Sequence, residues 1–227
     1  MIIALVSFLL LLFIGLPVTF VLGVVSVLYC LVSGKADFLY MISHQMFRGM
    51  NNFVLMAIPL FVLAGEIMNQ GEITDKLVKF ADVLVGRLRG GLAHVNVVAS
   101  TFFAGITGSA LSDVACIGSM LIPAMEKSGY DKEFSAAVTA ASAIQGPLIP
   151  PSIPAVLVAA VTGTSTGALF LGGAIPGLLL GAICCVIVAI YSKKRSYPKS
   201  EAKLTLKVFL ESLGQSFFPL LTPFIIL

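Results

Sequence analysis

Apolar positions in this chain come in long blocks separated by short polar stretches, not in the alternating pattern of half-buried strands. The first block runs from Ile2 to Val32. An upright helix needs about 20 residues to cross a hydrocarbon core, so this block exceeds one straight crossing. Gly15-Leu16-Pro17 sits at its middle, where proline removes a backbone donor and bends or breaks a helix. The block predicts either one long tilted helix or two helical pieces. A polar stretch, Ser33 to Asn52, leads to a second block, Phe53 to Met68. Asn51, Asn52 and Glu66 lie near the ends of that span and read as interfacial. From Glu72 to Arg89, Ile73, Leu77, Phe80, Val83, Leu84 and Leu88 recur at helical spacing, opposite Lys76, Lys79, Arg87 and Arg89. This is the pattern of an amphipathic helix lying in the interface.

The stretch from Leu92 to Met125 is apolar but interrupted. Its centre, GITGSALSDVACIGS, is rich in Gly, Ser and Thr, and each flanking arm is short for a crossing. A re-entrant hairpin explains this: helix in, irregular tip, helix out on the same side. Such a tip is tolerated at membrane depth only where protein buries it or it lines an aqueous cavity. After the turn EKSGYDKE, a further run, Phe134 to Thr162, is broken by QGPLIPPSIP. Pro147, Pro150, Pro151 and Pro154 cannot belong to one continuous helix. A span from about Ala168 to Ile190 ends at Lys193-Lys194-Arg195. An amphipathic stretch, Lys199 to Gln215, then leads into FFPLLTPFIIL.

Composition agrees with this picture. Of 227 residues, 58% are hydrophobic and 11% charged, whereas soluble domains carry charge at roughly 25% of positions. Lipid must solvate much of the chain. A net charge of +3 does not suggest nucleic-acid binding. Placement of charge is more informative than its sum. Of the 14 Lys and Arg, all but Lys35 and Arg48 fall in loops 71–91, 126–133 and 192–215, which the positive-inside rule places in the cytoplasm. The hairpin then enters from that side. The side of Met1 stays open. The first residues lack a basic n-region and a small-x-small cleavage site, so they read as a retained membrane segment. Cys30, Cys116, Cys184 and Cys185 lie in apolar runs without a CxxC pair and read as small buried hydrophobes.

The chemistry sits at the tip and the break. Helices stopped inside a membrane expose unpaired N–H groups at their N-termini and carbonyls at their C-termini, which favour carboxylates and cations respectively. Thr107, Ser109 and Ser112 add hydroxyl oxygens, and Asp113 adds a formal negative charge, a functional hypothesis by default at membrane depth. Small-xxx-small spacing also serves plain helix packing, but packing has no need of the proline cluster. His94 and Asn96 open the hairpin and read as structural. An intramembrane hydrolase with Ser109 or Ser112 as nucleophile and His94 as base is one alternative, although GSALSD is not a G-x-S-x-G elbow. A non-transporting scaffold and a passive channel are others. The pairing of a hairpin with a discontinuous helix argues for alternating access.

Three segments make the pattern specific: IPLFVLAGEIMNQGEI (58–73), GRLRGGLAHVNVVASTFFAGITGSALSDVACIGSMLIPAM (86–125) and AASAIQGPLIPPSIPAVLVAAVTGTSTGALFLGGAIPGLLLG (140–181). They resemble the large membrane (M) subunit of the TRAP, or tripartite ATP-independent periplasmic, transporters of bacteria and archaea. The likeness runs along essentially the whole chain, and that subunit is nearly twice as long, built of two inverted repeats. The resemblance implies an all-α integral membrane protein of the inner membrane, crossing several times, with elevator-type architecture. It implies scaffold helices over 1–70 and an amphipathic arm over 71–91. A transport element then covers 92–163, made of hairpin 92–127 and broken helix 131–163. A transmembrane helix over 166–195 follows, and 196–227 would hold a second arm and the opening of the second repeat. It further implies sodium-driven import of organic acids such as C4-dicarboxylates or sialic acid, with a small membrane (Q) subunit and a periplasmic substrate-binding protein as partners. Carried onto this sequence, a sodium site is expected at Thr107, Gly108, Ser109, Ser112 and Asp113, facing Gly146, Pro147 and Ile149. Pro150, Pro151 and Ser152 are expected to border the substrate space. No catalytic residue and no organic cofactor is implied.

Overall fold

A computed structural model of the chain describes residues 2–70, 73–198 and 206–226. All regular structure among them is helical. The chain divides into two compact units, Met1–Phe53 and Val54–Leu227. In the first, the opening apolar block is two pieces, α1 (Ile2–Phe13) and α2 (Val18–Val32), followed by α3 (Leu39–Met50). The division falls where the sequence placed it. Gly15 takes φ +87, a conformation that side-chain-bearing residues resist, and Pro17 occupies the N-cap of α2.

The second unit holds α4 (Ala57–Gln70), α5 (Ile73–Val85), α6 (Gly91–Thr107), α7 (Ala110–Lys127), α8 (Lys132–Ala143), α9 (Ile153–Thr162), α10 (Thr166–Lys194) and α11 (Leu206–Ile226). The amphipathic α5 buries Thr74, Leu77, Phe80 and Ala81 against α6 and α11. It stops four residues short of the expected Arg89, and its expected apolar positions Leu84 and Leu88 are exposed. At the other end of the chain, the amphipathic stretch and the apolar run are one continuous helix, α11, rather than two elements. Expected positions 199–205 lie outside the described residues. The arms brace each other: α11 packs on α5, and the Ser216 hydroxyl donates to the Lys76 carbonyl at 3.1 Å.

Helices α6 and α7 form a hairpin, because both of its ends lie against the segment that leaves α10. At its start, Gly90 N–H donates to the Pro198 carbonyl at 3.1 Å. At its end, the Tyr130 ring stacks on Tyr197 with centroids 4.4 Å apart, and the Tyr197 hydroxyl donates to Asp131 at 2.6 Å. Arg195 pairs with the same carboxylate and lies over the Phe134 ring. The three loops that the charge rule assigned to one side of a bilayer therefore meet at one end of the unit. The Tyr197 hydroxyl and the Arg195 guanidinium hold the Asp131 carboxyl below the usual carboxylate range.

Buried hydroxyls and amides join the hairpin to α8. Asn96 on α6 donates to Thr139 at 2.7 Å and accepts from Ser142 at 3.2 Å. Ser100 and Ser142 hydroxyls sit 3.1 Å apart, and Thr101 meets the Gln145 side chain at 2.7 Å. Asn96 is thus structural, as expected, and Gly118 on α7 lets the Thr139 methyl approach closely. Helix α10 is, among the described residues, the single continuous helix long and apolar enough to cross a membrane by itself. Its Gly173, Gly177 and Gly181 face Leu148, Ile149 and Gln145 of the break, so close that a Cβ at any of the three would fall 2.6 Å from the nearest atom. Of the cysteines, Cys184 is buried, while Cys30, Cys116 and Cys185 are only partly so.

Candidate functional site

The tip is tighter than the sequence suggests. Helix α6 continues through Gly105 to Thr107, and α7 resumes at Ala110, so the non-helical backbone is Gly108 and Ser109 alone. Gly108 is left-handed at φ +60, a common way for glycine to end a helix. Ser109 is extended and caps α7, its hydroxyl accepting weakly from Ser112 N–H at 3.4 Å. A polar knot spanning 105–113 was expected. Residues 105–107 and 110–113 instead continue the helices, which satisfies backbone groups that a longer loop would leave unpaired.

The break matches the proline cluster. Helix α8 ends at Ala143 and α9 starts at Ile153. Between them, the Gln145 carbonyl accepts from Leu148 and Ile149 N–H at 3.0 and 2.8 Å. The Ser152 hydroxyl donates to the Pro147 carbonyl at 2.5 Å and accepts from Ala155 N–H at 3.1 Å. It is thereby the N-cap of α9. The Pro150–Pro151 bond is cis. Pro150, Pro151 and Ser152 are all buried.

Tip and break meet backbone to backbone. A Cβ on Gly146 would lie 2.9 Å from both Ala110 N and the Ser109 carbonyl carbon. A Cβ on Gly108 would strike the Pro151 carbonyl oxygen and fall 3.3 Å from Ile153 N. The pairing is crosswise. The C-terminal side of α8 abuts the N-terminus of α7, and the C-terminus of α6 abuts the N-terminus of α9. Opposite ends of the helix dipoles face each other at both contacts. The arrangement gathers carbonyls and N–H groups of four helix ends in one place.

Beside this contact lies a cavity of about 340 Å³. Thr107, Ser109 and Ser112 line it together, so three of the expected oxygen donors share one space. Asp113 does not line it; its carboxylate is fully buried, with neither oxygen in a hydrogen bond. Gly146 and Ile149 are also buried, on the break side. The hydroxyls of Thr107, Ser109 and Ser112 are oxygen donors of the kind that suits a hard cation. The sequence reading missed Glu66. It lines this same cavity from α4, next to Gly65, whose Cβ position is 3.4 Å from the Thr107 methyl. Glu66 on an otherwise apolar helix was the available signal. His94 stands near the start of α6 and the tip at its end, roughly 20 Å apart at about 1.5 Å rise per residue. It cannot serve as a base for Ser109 or Ser112.

Residues 5–227 match the family described as "Tripartite ATP-independent periplasmic transporter, DctM component", and the chain belongs to that family. Among its relatives, it is 43% identical over 224 residues to the sialic acid TRAP transporter large permease protein SiaM of Vibrio cholerae, covering 96% of this chain and 50% of that protein. It is 37% identical over 225 residues to the sialic acid TRAP transporter permease protein SiaT of Haemophilus influenzae, covering 99% and 36%. With the C4-dicarboxylate TRAP transporter large permease protein DctM of Vibrio cholerae the identity is 39% over 187 residues, covering 82% and 41%. The chain thus spans about half, or less, of the length of these relatives. By their names these relatives are transport permeases, not enzymes.

Proposed function

We propose that this chain supplies the first half of the membrane permease of a sodium-coupled organic-acid importer. In this reading, α6–α7 enters the inner membrane as a re-entrant hairpin from the cytoplasmic side, and α8–α9 is a discontinuous crossing. Sodium, the coupling cargo, is held between Thr107–Ser112 and Gly146–Ile149, with the buried Asp113 charge nearby. Hydroxyl oxygens and helix-end carbonyls replace its water, and the bound charge lowers the cost of holding an anion at the N–H end of α9. Pro150, Pro151 and Ser152 fix that end. Hairpin and broken helix then move as one elevator body, joined by the Asn96–Thr139–Ser142 ladder, while α5 and α11 brace it at the cytoplasmic face. The substrate class is a small organic acid of the sialic acid or C4-dicarboxylate type. A periplasmic binding protein delivers it, and a small membrane subunit completes the complex.

One observation carries the reading: two stretches of non-helical backbone, 108–109 and 144–152, are packed against each other. A soluble bundle gains nothing from such a contact, whereas a membrane transporter uses interrupted helices to present unpaired backbone groups to ions and anions. The test is uptake by the intact permease in proteoliposomes across a sodium series. Ser109→Ala and Thr107→Val are expected to raise the half-saturating sodium concentration without changing the substrate selected. Wild-type sodium dependence in both variants would reject the ion site.

A further inference from the structure

Where α8 and α10 run side by side, they leave an open groove of about 370 Å³ between them. Its floor is made of the buried side chains of Phe134, Val138, Cys184 and Val188. Alanines at 137 and 141 keep the α8 wall low, and Ile187 and Tyr191 form an exposed wall on α10. Formal charge enters the lining at one end alone, as Glu133 and Arg195. From that end the groove reaches Ala141 on α8 and Cys184 on α10, roughly 12 and 16 Å away at about 1.5 Å per residue. One leaflet of a bilayer offers about 15 Å of hydrocarbon.

The charged end lies where the basic loops meet, and Lys132, Lys193 and Lys194 stand exposed around it. With Arg195 they outnumber the acidic residues of the same turns, Asp131 and Glu133. The Arg195 guanidinium lies over the Phe134 and Tyr191 rings, 5.7 and 5.9 Å from their centroids. Its bonds to Asp131 and Tyr197 both use Nη1, so the exposed group keeps Nη2 and Nε for an anion, a fork that suits phosphate.

We propose that this groove holds one acyl chain of an anionic phospholipid from the cytoplasmic leaflet, with the phosphate on Arg195 and the neighbouring lysines. Basic pockets between membrane helices on this side bind anionic head groups, and the apolar length gives the chain what a free phosphate cannot use. The inference needs the membrane placement given above but not the ion site, and its readouts do not depend on uptake.

The intact permease, stripped of lipid in detergent, is to be incubated with phosphatidylglycerol, phosphatidylcholine or inorganic phosphate. Phosphatidylglycerol is expected to raise the melting temperature by several degrees and, by native mass spectrometry, to be retained several-fold better than phosphatidylcholine. Phosphate alone is expected to leave the melting temperature unchanged. Ala137→Leu/Ala141→Leu fills the groove without altering a charge, and is expected to melt like the parent in detergent and to lose the lipid shift. Lys193→Gln/Lys194→Gln is expected to bring retention of the two lipids close to equality. Phosphatidylglycerol carrying a mid-chain diazirine is expected to form adducts on residues 134–141 and 184–191; if the groove-filling variant misfolds, this map on the parent decides. Equal retention of the two lipids by the parent, a shift that survives the filled groove, a phosphate effect equal to that of the lipid, or adducts confined to other helices would overturn the proposal. So would a photoreactive benzoylphenylalanine in place of Ala137 that cross-links to another protein segment of the assembled permease, because protein would then fill the groove.

Discussion

Gly146→Ala adds one methyl group where tip and break touch. The new carbon would stand 2.9 Å from Ala110 N and from the Ser109 carbonyl carbon, whereas ordinary contact begins at 3.4 Å. Both obstacles are backbone atoms, and the Ala143 carbonyl oxygen at 3.2 Å closes the third side. No rotamer change relieves the clash, so the two segments must separate by about half an ångström, within the range of overpacking that costs about 1–3 kcal/mol. At about 1.4 kcal/mol per tenfold, that strain corresponds to a loss of roughly five- to a hundredfold in an ion affinity that depends on the two segments being together. The assay is sodium-dependent uptake by the reconstituted intact permease, with thermal stability of the purified protein measured in parallel. Gly172→Ala is the matched comparison. It lies in helix α10 with open space around it, where the exchange is expected to be neutral or to stabilise by about 0.4–1 kcal/mol. Wild-type sodium dependence and stability in Gly146→Ala would refute the argument that the contact is tight and that the ion requires it.

Asn96→Leu removes both side-chain bonds that Asn96 makes to Thr139 and Ser142 and leaves buried hydroxyls short of a partner. A loss of about 1–3 kcal/mol is expected, read as a lower melting temperature of the purified permease. Tyr197→Phe removes the hydroxyl that donates to Asp131 and is expected to loosen the junction between the α7–α8 turn and the end of α10. Because the folded Asp131 carboxyl titrates below its usual range, its contribution is complete above the unfolded value of about 3.9 and is lost as pH falls through the folded one. The melting difference between Tyr197→Phe and the parent should therefore be constant from neutral pH to about pH 5 and vanish in stronger acid; a difference that persists there would show that Asp131 is not its source.

The sequence made the break legible because four prolines within eight residues cannot share one continuous helix; those at 147, 150 and 151 fall between α8 and α9, and Pro154 sits in the first turn of α9, where proline is tolerated. The tip was legible in place but not in extent. Gly, Ser and Thr are permitted in loops and in membrane helices alike, so composition could not tell that Gly105, Thr107 and the 110–113 segment stay helical. Gly86, one residue after α5 ends, was passed over because the apolar spacing continues to Leu88. The place of Glu66 beside the tip was hidden for a different reason. Its distance in sequence from the hairpin hides the approach of Gly65 to Thr107, which depends on tertiary packing. The crosswise pairing of helix ends likewise has no local signature, since either stretch alone reads as an isolated interruption.

The bare strip formed by Gly173, Gly177 and Gly181 sets a condition on any motion. Where side chains interdigitate, one helix can shift by exchanging rotamers. Here the carbonyl of Leu148 and the side chains of Ile149 and Gln145 sit directly on glycine backbone, with no side chain of α10 between them. Displacing the interrupted segment along α10 would drive it into the Cβ-bearing positions above and below each glycine. In the motion proposed above, α10 therefore travels with the tip and break instead of standing still while they pass.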